Sequence, residues 1–313
     1  MIATPIRTAG RSRRALVRTM AAAAAAGILC GPAAALGAGD GGARRRPGGG
    51  INVRAEGKGE PALLFVHGFG CALGDWRAEM DALSGSHRCI ALDLPGHGKS
   101  AMPASPTIAA LAEAVNRVKA DAAARQIVLI GHSMGCRVIT EAYRQSADRI
   151  AGLIYVDGSL LGGDPDAAVK KAKDAIDKVG MDAFSDRLFQ DMFLPGADEK
   201  TKQAIIERAL AVPAEFREKL FLDLVRWDAA NGREALKQVK VPVLVLQSTY
   251  INTELKRAPL PQGQTTPWTE AVASLVPGAQ IEIVSGPGHF SMIEAPQPIS
   301  RAIGSFAKKT AKA

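Results

Sequence analysis

Histidine and cysteine are scarce in this 313-residue chain, with five of the first and four of the second. Cys30 falls in an N-terminal stretch that reads as a removable signal, leaving Cys71, Cys89 and Cys136. An odd number excludes a complete disulfide framework. Acid is missing from residues 1–38, which hold five arginines and no Asp or Glu, so the formal charge of +8 belongs mostly to the head of the chain. Residues 51–313 carry only +1, which removes the charge argument for a nucleic-acid partner. No internal repeat is visible, which argues against a solenoid. What is present is 47% hydrophobic and 22% charged, with mean hydropathy near zero. That composition describes a chain with one sizeable core and a single domain carrying an insertion.

Residues 1–38 read as an export signal: Arg7, Arg11, Arg13, Arg14 and Arg18 lead into the alanine-rich apolar run Met20 to Leu36. A Gly/Arg linker follows over 39–50. The segment Ser12 to Arg18 is similar to a bacterial twin-arginine signal, whose passengers cross the membrane folded. Ala33, Ala35 and Gly37 offer cleavage sites. Cys30 follows Leu29, a poor fit to a lipoprotein box. The expectation is therefore an exported protein, periplasmic or secreted, with no stable membrane insertion after the signal is removed. The alternative is a misassigned start codon upstream of a cytoplasmic protein.

From residue 51 short apolar runs alternate with helical patterns, the signature of an α/β fold with a mostly parallel sheet covered on both faces. Strands are expected at 51–54, 62–67, 88–93, 127–131, 152–157, 241–248 and 280–285, and helices at 76–83, 107–124, 134–146, 269–275 and 299–308. Residues 159–239 break the alternation. They hold amphipathic patterns such as Phe184, Leu188, Phe189, Met192 and Phe216, Leu220, Leu224, Trp227, and read as a helical insertion. Inserted after a sheet strand, it starts at the sheet's carboxyl edge, where ligands bind in open α/β sheets, and is expected to form a cap.

Gly131-His132-Ser133-Met134-Gly135 has the spacing G-x-S-x-G directly after the apolar run Ile127 to Ile130. A serine at the apex of a strand-to-helix turn is held clear of the sheet, and glycines two positions either side permit the close backbone approach. Ser133 is thus the candidate nucleophile. A serine hydroxyl needs a base, and of the five histidines His132 lies inside the turn, His87 begins a strand, and His67 and His97 lie in turns. His289, in Gly286-Pro287-Gly288-His289-Phe290 after the last strand, is the candidate base. The oxyanion formed on attack needs preorganised donors. The turn His67-Gly68-Phe69-Gly70 can aim the Phe69 N–H at the same spot as the Met134 N–H.

With the loop Asp93 to Ser100, the strand Val241 to Leu246 and Gly288-His289-Phe290, these motifs resemble the α/β-hydrolase superfamily over residues 51–313. The resemblance implies eight strands, a Ser-acid-His order along the chain, a structural role for the Asp93 to Ser100 loop, and no metal or organic cofactor. Family members usually carry the acid just after the strand that is here 241–248, but this chain reads Thr249-Tyr250-Ile251-Asn252-Thr253-Glu254 there. Glu254 is one candidate. Asp157, at the end of the preceding strand, is favoured, as in haloalkane dehalogenases and similar relatives. Cys71 and Cys136 are expected to be near neighbours, bridged or, in the favoured reading, buried as free thiols. The expected activity is hydrolysis of a carboxylic ester or related acyl compound by a Ser133, His289, Asp157 triad, on a small-molecule substrate. Carbon–carbon bond hydrolysis or a cofactor-free perhydrolase on the same residues is the alternative, and a non-catalytic binding protein is a different class. An aspartate nucleophile would be needed for dehalogenase or epoxide hydrolase chemistry, and the chain has Ser133 in that place.

Overall fold

The computed structural model describes residues 50–251 and 257–311. The expected export signal, all of the linker but Gly50, and Glu254 lie outside them. The strands are β1 (Val53–Glu56), β2 (Ala62–Val66), β3 (Cys89–Leu92), β4 (Ile127–His132), β5 (Ile150–Val156), β6 (Val243–Gln247), β7 (Thr249–Ile251), β8 (Arg257–Pro259) and β9 (Gln280–Ile283). Seven of them form one sheet in the order β1-β3-β2-β4-β5-β6-β9. β1 is antiparallel to β3 and every other neighbouring pair is parallel.

The eight-stranded expectation is corrected here, because among the described residues the sheet has seven strands. Residues 249–251 and 257–259 are extended but pair with each other as an antiparallel hairpin and add nothing to the sheet. The interior strands β2, β3, β4 and β6 are buried at every position, while β9 at the edge alternates exposed and half-buried residues. A parallel strand covered on both faces has no polar side to show, which is why these segments are continuous apolar runs in the sequence.

The helices are α1 (Arg77–Leu83), α2 (Ile108–Asp121), α3 (Met134–Gln145), α4 (Pro165–Val179), α5 (Met181–Gln190), α6 (Glu199–Leu210), α7 (Ala214–Trp227), α8 (Arg233–Lys237), α9 (Pro267–Leu275), α10 (Ser291–Glu294) and α11 (Pro296–Thr310). Thr107, Asp164, Asp198 and Thr266 start α2, α4, α6 and α9, each side chain accepting the backbone N–H three residues on. That removes one orphan donor from each helix start. Pro165 and Pro267 sit in first turns, where no N–H is needed.

Helices α4 to α8, with a π-helical turn at Asp228–Gly232 before α8, fill the stretch between β5 and β6. Their apolar residues, including Ile176, Phe189, Ile205, Ile206, Leu220 and Leu224, are buried and continuous with the main core. They lie on the loops that leave the carboxyl ends of the strands. A Cβ added at Gly70 after β2 would meet Phe189 and Ala209, and one at Gly96 after β3 would meet Phe216. Arg208 of α6 pairs with Asp75 at 2.8 Å, and the His289 N–H after β9 donates to the Met192 carbonyl at 3.2 Å.

Glu79 on α1 is fully buried, with neither carboxylate oxygen hydrogen-bonded among the described residues, and burial pushes its pKa up to about 8. A buried carboxyl without a partner stays protonated. The folded chain therefore holds a proton that the unfolded chain releases near the ordinary value of 4.5. Stability is fully present below that value and is lost as the pH rises toward 8, by on the order of 4 kcal/mol. Glu79→Gln should match the wild type in acid and gain on it steadily between pH 5 and 8 in denaturant melts. Parallel stability curves for the two proteins would rule this out.

Candidate active site

The turn at Ser133 is set by register. Gly131 of β4 stands beside Val66 of β2 and Tyr155 of β5, and His132 beside Val156. Ser133 follows with φ 53° and ψ −116°, then α3 begins at Met134. Positive φ in a residue with a Cβ is strained and persists only where its surroundings impose it. Here the Ser133 N–H is tied to the Val156 carbonyl at 3.0 Å. The two flanking glycines are obligatory for space. A Cβ on Gly131 would lie 2.4 Å from the Gly135 carbonyl oxygen, and one on Gly135 would lie 2.4 Å from the Val66 carbonyl oxygen.

Asp157 follows β5 immediately and is fully buried. Its Oδ2 accepts from His289 Nδ1 at 2.6 Å, Thr249 Oγ1 at 2.6 Å and Arg257 Nη1 at 3.1 Å. Its Oδ1 accepts from the Ser248 N–H at 2.9 Å, the Ser248 hydroxyl at 3.0 Å and the Thr249 N–H at 2.8 Å. Burial alone would raise its pKa, but the bonds from His289, the Arg257 charge and the Thr249 hydroxyl outweigh it and hold the carboxyl well below the usual range. His289 is likewise buried. Burial and the Arg257 charge lower its pKa to about 4, against the opposing pull of Asp157. At neutral pH the pair is thus a carboxylate and a neutral imidazole whose Nδ1 carries the proton. His289 Nε2, the lone-pair nitrogen, has no partner among the described residues.

The loop after β2 lies against the turn: a Cβ on Gly68 would be 3.2 Å from that of Ser133. Among the described residues neither the Phe69 nor the Met134 N–H has an acceptor. Two buried histidines brace this loop. His97 Nε2 accepts the Gly70 N–H at 3.2 Å, and His67 Nε2 accepts the Leu94 N–H at 2.9 Å while its Nδ1 faces the Gly68 carbonyl at 2.8 Å. Both rings are kept neutral by burial. Asp93 ties the next loop together, accepting from Asn52 Nδ2, the Leu73 N–H and the Lys99 N–H. Cys71 and Cys136 are buried free thiols, so no bridge joins them. Burial raises both pKa values, that of Cys136 to about 12, which removes thiolate reactivity.

The structure brings Ser133, His289 and Asp157 to one edge, with Phe69 and Met134 beside them; Glu254 lies outside the described residues. The sequence reading missed Ser248, Thr249, Arg257 and Arg137. Ser248 and Thr249 stand where the acid usually sits and instead donate to Asp157. Arg137, one turn into α3, is buried and forks onto Asp228 at 2.8 and 2.6 Å while also donating to the Ser133 carbonyl at 3.2 Å. It ties the helix that follows Ser133 to the π-helical turn. His132 Nε2 donates to the His289 carbonyl at 2.9 Å. The polar residues after β6 were a visible signal for an acid placed elsewhere; the arginines had none.

A model of the Alpha/beta hydrolase family matches residues 63–302. The chain belongs to that family. It is 29% identical over 268 residues to a pimeloyl-[acyl-carrier protein] methyl ester esterase of Edwardsiella ictaluri, covering 80% of this chain and 95% of that one. It is 27% identical over 258 residues to the dihydrolipoyllysine-residue acetyltransferase component of the acetoin cleaving system of Cupriavidus necator, covering 78% of this chain. The chain spans less than two thirds of several curated relatives, 63% in that case. Among solved structures, a thermophilic esterase from Thermogutta terrifontis superposes with a TM-score of 0.67 at 23% identity over 83% of this chain and 93% of that one. At that identity the likeness shows the fold.

Proposed function

We propose that this family member is a serine hydrolase that cleaves a carboxylic ester or related acyl compound through an acyl-enzyme on Ser133. The observation that carries the reading is the 2.6 Å His289 Nδ1 to Asp157 bond, which leaves Nε2 as a free lone pair at the sheet edge that also carries Ser133 on its strained turn. In apo enzymes the nucleophile–base bond is often loose and closes with substrate. His289 Nε2 takes the proton from Ser133 Oγ as the oxygen attacks the acyl carbon. The tetrahedral oxyanion rests on the Phe69 and Met134 N–H groups, both without other acceptors. The imidazolium then protonates the departing alcohol. Water, deprotonated by the same nitrogen, repeats the sequence on the acyl-enzyme and frees the acid.

The small-molecule substrate would be held between this edge and the helical insertion, where Phe69 stacks on Phe189 with ring centroids 6.3 Å apart. The name of the Edwardsiella ictaluri relative, a methyl ester esterase, supports ester chemistry. A fluorophosphonate probe tests the proposal: the wild type should be labelled at Ser133 and Ser133→Ala should not. An unlabelled wild type that also fails to turn over p-nitrophenyl esters would refute it.

Export is part of the proposal. Among the described residues no helix is long and apolar enough to cross a membrane. Residues 1–50, fused to a reporter active only when exported folded, should carry it across the membrane, and Arg13→Lys with Arg14→Lys should stop delivery. Delivery indifferent to the double lysine change would assign the general secretory route, and no delivery at all would favour the misassigned start.

A further inference from the structure

We infer that Arg257 is a positioning residue acting through Asp157, whose guanidinium, held on the same carboxylate oxygen as His289 Nδ1, keeps His289 neutral and available as a base in acidic solution. This rests on the reading of Ser133 and His289 as nucleophile and base.

The Arg257 side chain is 10% exposed and its Nη1 lies 3.1 Å from Asp157 Oδ2 and 2.8 Å from Thr249 Oγ1. Asp157 does not need it for orientation. Four other donors, two from Ser248 and two from Thr249, already fix both oxygens besides His289. What Arg257 adds is a full positive charge on the side of the carboxylate that faces the imidazole. A second cation there can form only as protonated His289, and the two would share one carboxylate oxygen in a dry site where Coulomb repulsion is poorly screened.

The other groups facing His289 do not do the same work. Arg137 on α3 also opposes protonation, but its charge is spent on Asp228 at 2.6 Å. His132 at the end of β4 is neutral, with its ring 4.5 Å from that of His289. Glu294 on α10 accepts the Gly288 N–H at 3.0 Å, and burial raises its pKa, which weakens its pull. Asp157 pulls the other way, favouring the imidazolium, and Arg257 is the group that cancels it. Burial is the first cause of the low value of about 4 for His289, and the Arg257 charge adds to it against the pull of Asp157.

The experiment compares the wild type with Arg257→Met, which keeps the stem and removes the charge, and Arg257→Lys, which keeps the charge. The rate of fluorophosphonate labelling of Ser133 is followed from pH 3 to 8, beside the imidazole titration of His289 in ¹⁵N-histidine-labelled protein. Met should raise the acidic midpoint of both curves by about one pH unit, and Lys should stay near the wild type. Superimposed midpoints for Met and wild type would overturn the inference, as would a Met rate lowered equally at every pH, the mark of a merely structural role. A Lys midpoint displaced as far as Met would overturn the charge argument. Arg257→Gln replaces Met if that variant does not fold. If the wild type is never labelled, the hydrolase reading fails, while the histidine titration still decides for or against Arg257.

Discussion

Ser133→Ala and His289→Ala should each lower kcat by roughly 10⁴-fold or more, and the double variant should lose little beyond either single one. The non-additivity follows from the chemistry. Without a base the Ser133 hydroxyl is a weak nucleophile, and without the hydroxyl the His289 lone pair has no proton to take, so the second deletion removes something already idle. Residual turnover would come from the Phe69 and Met134 N–H groups and from binding, which neither change touches. Folding should survive in both. Ser133 is half-buried on a strained φ of 53°, and its side chain makes no recorded hydrogen bond among the described residues. His289 is different, since its loss leaves one side of Asp157 short of a donor; five other donors remain on that carboxylate. Kinetics should therefore be normalised to folded protein by near-UV circular dichroism. Losses that multiply in the double variant would show two residues acting separately, which a triad does not allow.

The glycine spacing of the elbow could be read from the sequence because only glycine avoids a 2.4 Å clash at positions 131 and 135. The buried strands were equally visible, since a doubly covered strand has to be apolar throughout. Long-range partners were not visible. The bond from Arg257 to Asp157 joins residues 100 apart in the chain, and that from Arg137 to Asp228 joins residues 91 apart. A lone arginine in a loop has no periodicity to announce its burial. The hairpin of β7 and β8 escaped for a related reason. Thr249-Tyr250-Ile251 is strand-like, but Arg257-Ala258-Pro259 has neither alternation nor β-branched residues, so nothing in its local pattern announces the pairing of the two. His67 and His97 read as turn residues because their braces reach loops 27 positions away. The helical insertion was legible as helix from its amphipathic pattern, while its seat on Gly70, Gly96 and Asp75 depended on side chains that only the folded chain brings together.

Asp157→Asn should lower kcat by roughly 10³- to 10⁴-fold, and Glu254→Gln by less than about tenfold. The carboxylate in such a triad fixes the imidazole tautomer and stabilises the imidazolium without itself taking the proton. An amide at 157 presents an NH₂ to one side. If that group faces His289 it donates to Nδ1, forces the proton onto Nε2 and leaves no lone pair for Ser133. If it turns the other way it meets the Ser248 N–H and the Thr249 N–H, two donors crowded against a third, while the Ser248 hydroxyl can turn its proton to the Gly288 carbonyl. Neither orientation satisfies the site, so the variant should also be less stable, by about 1 to 3 kcal/mol for the donors left unpaired. The two effects separate by titrating competent sites with the fluorophosphonate and expressing kcat per site. A normal kcat per labelled site with a lowered melting temperature would reduce Asp157 to a loop anchor. A collapse in Glu254→Gln beside an unchanged Asp157→Asn would move the acid to Glu254, against six donors converging on Asp157. Those donors make the loss of kcat in Asp157→Asn the expected result, because a carboxylate held ionised by this many partners and bonded to Nδ1 at 2.6 Å is already in the state the transition state requires.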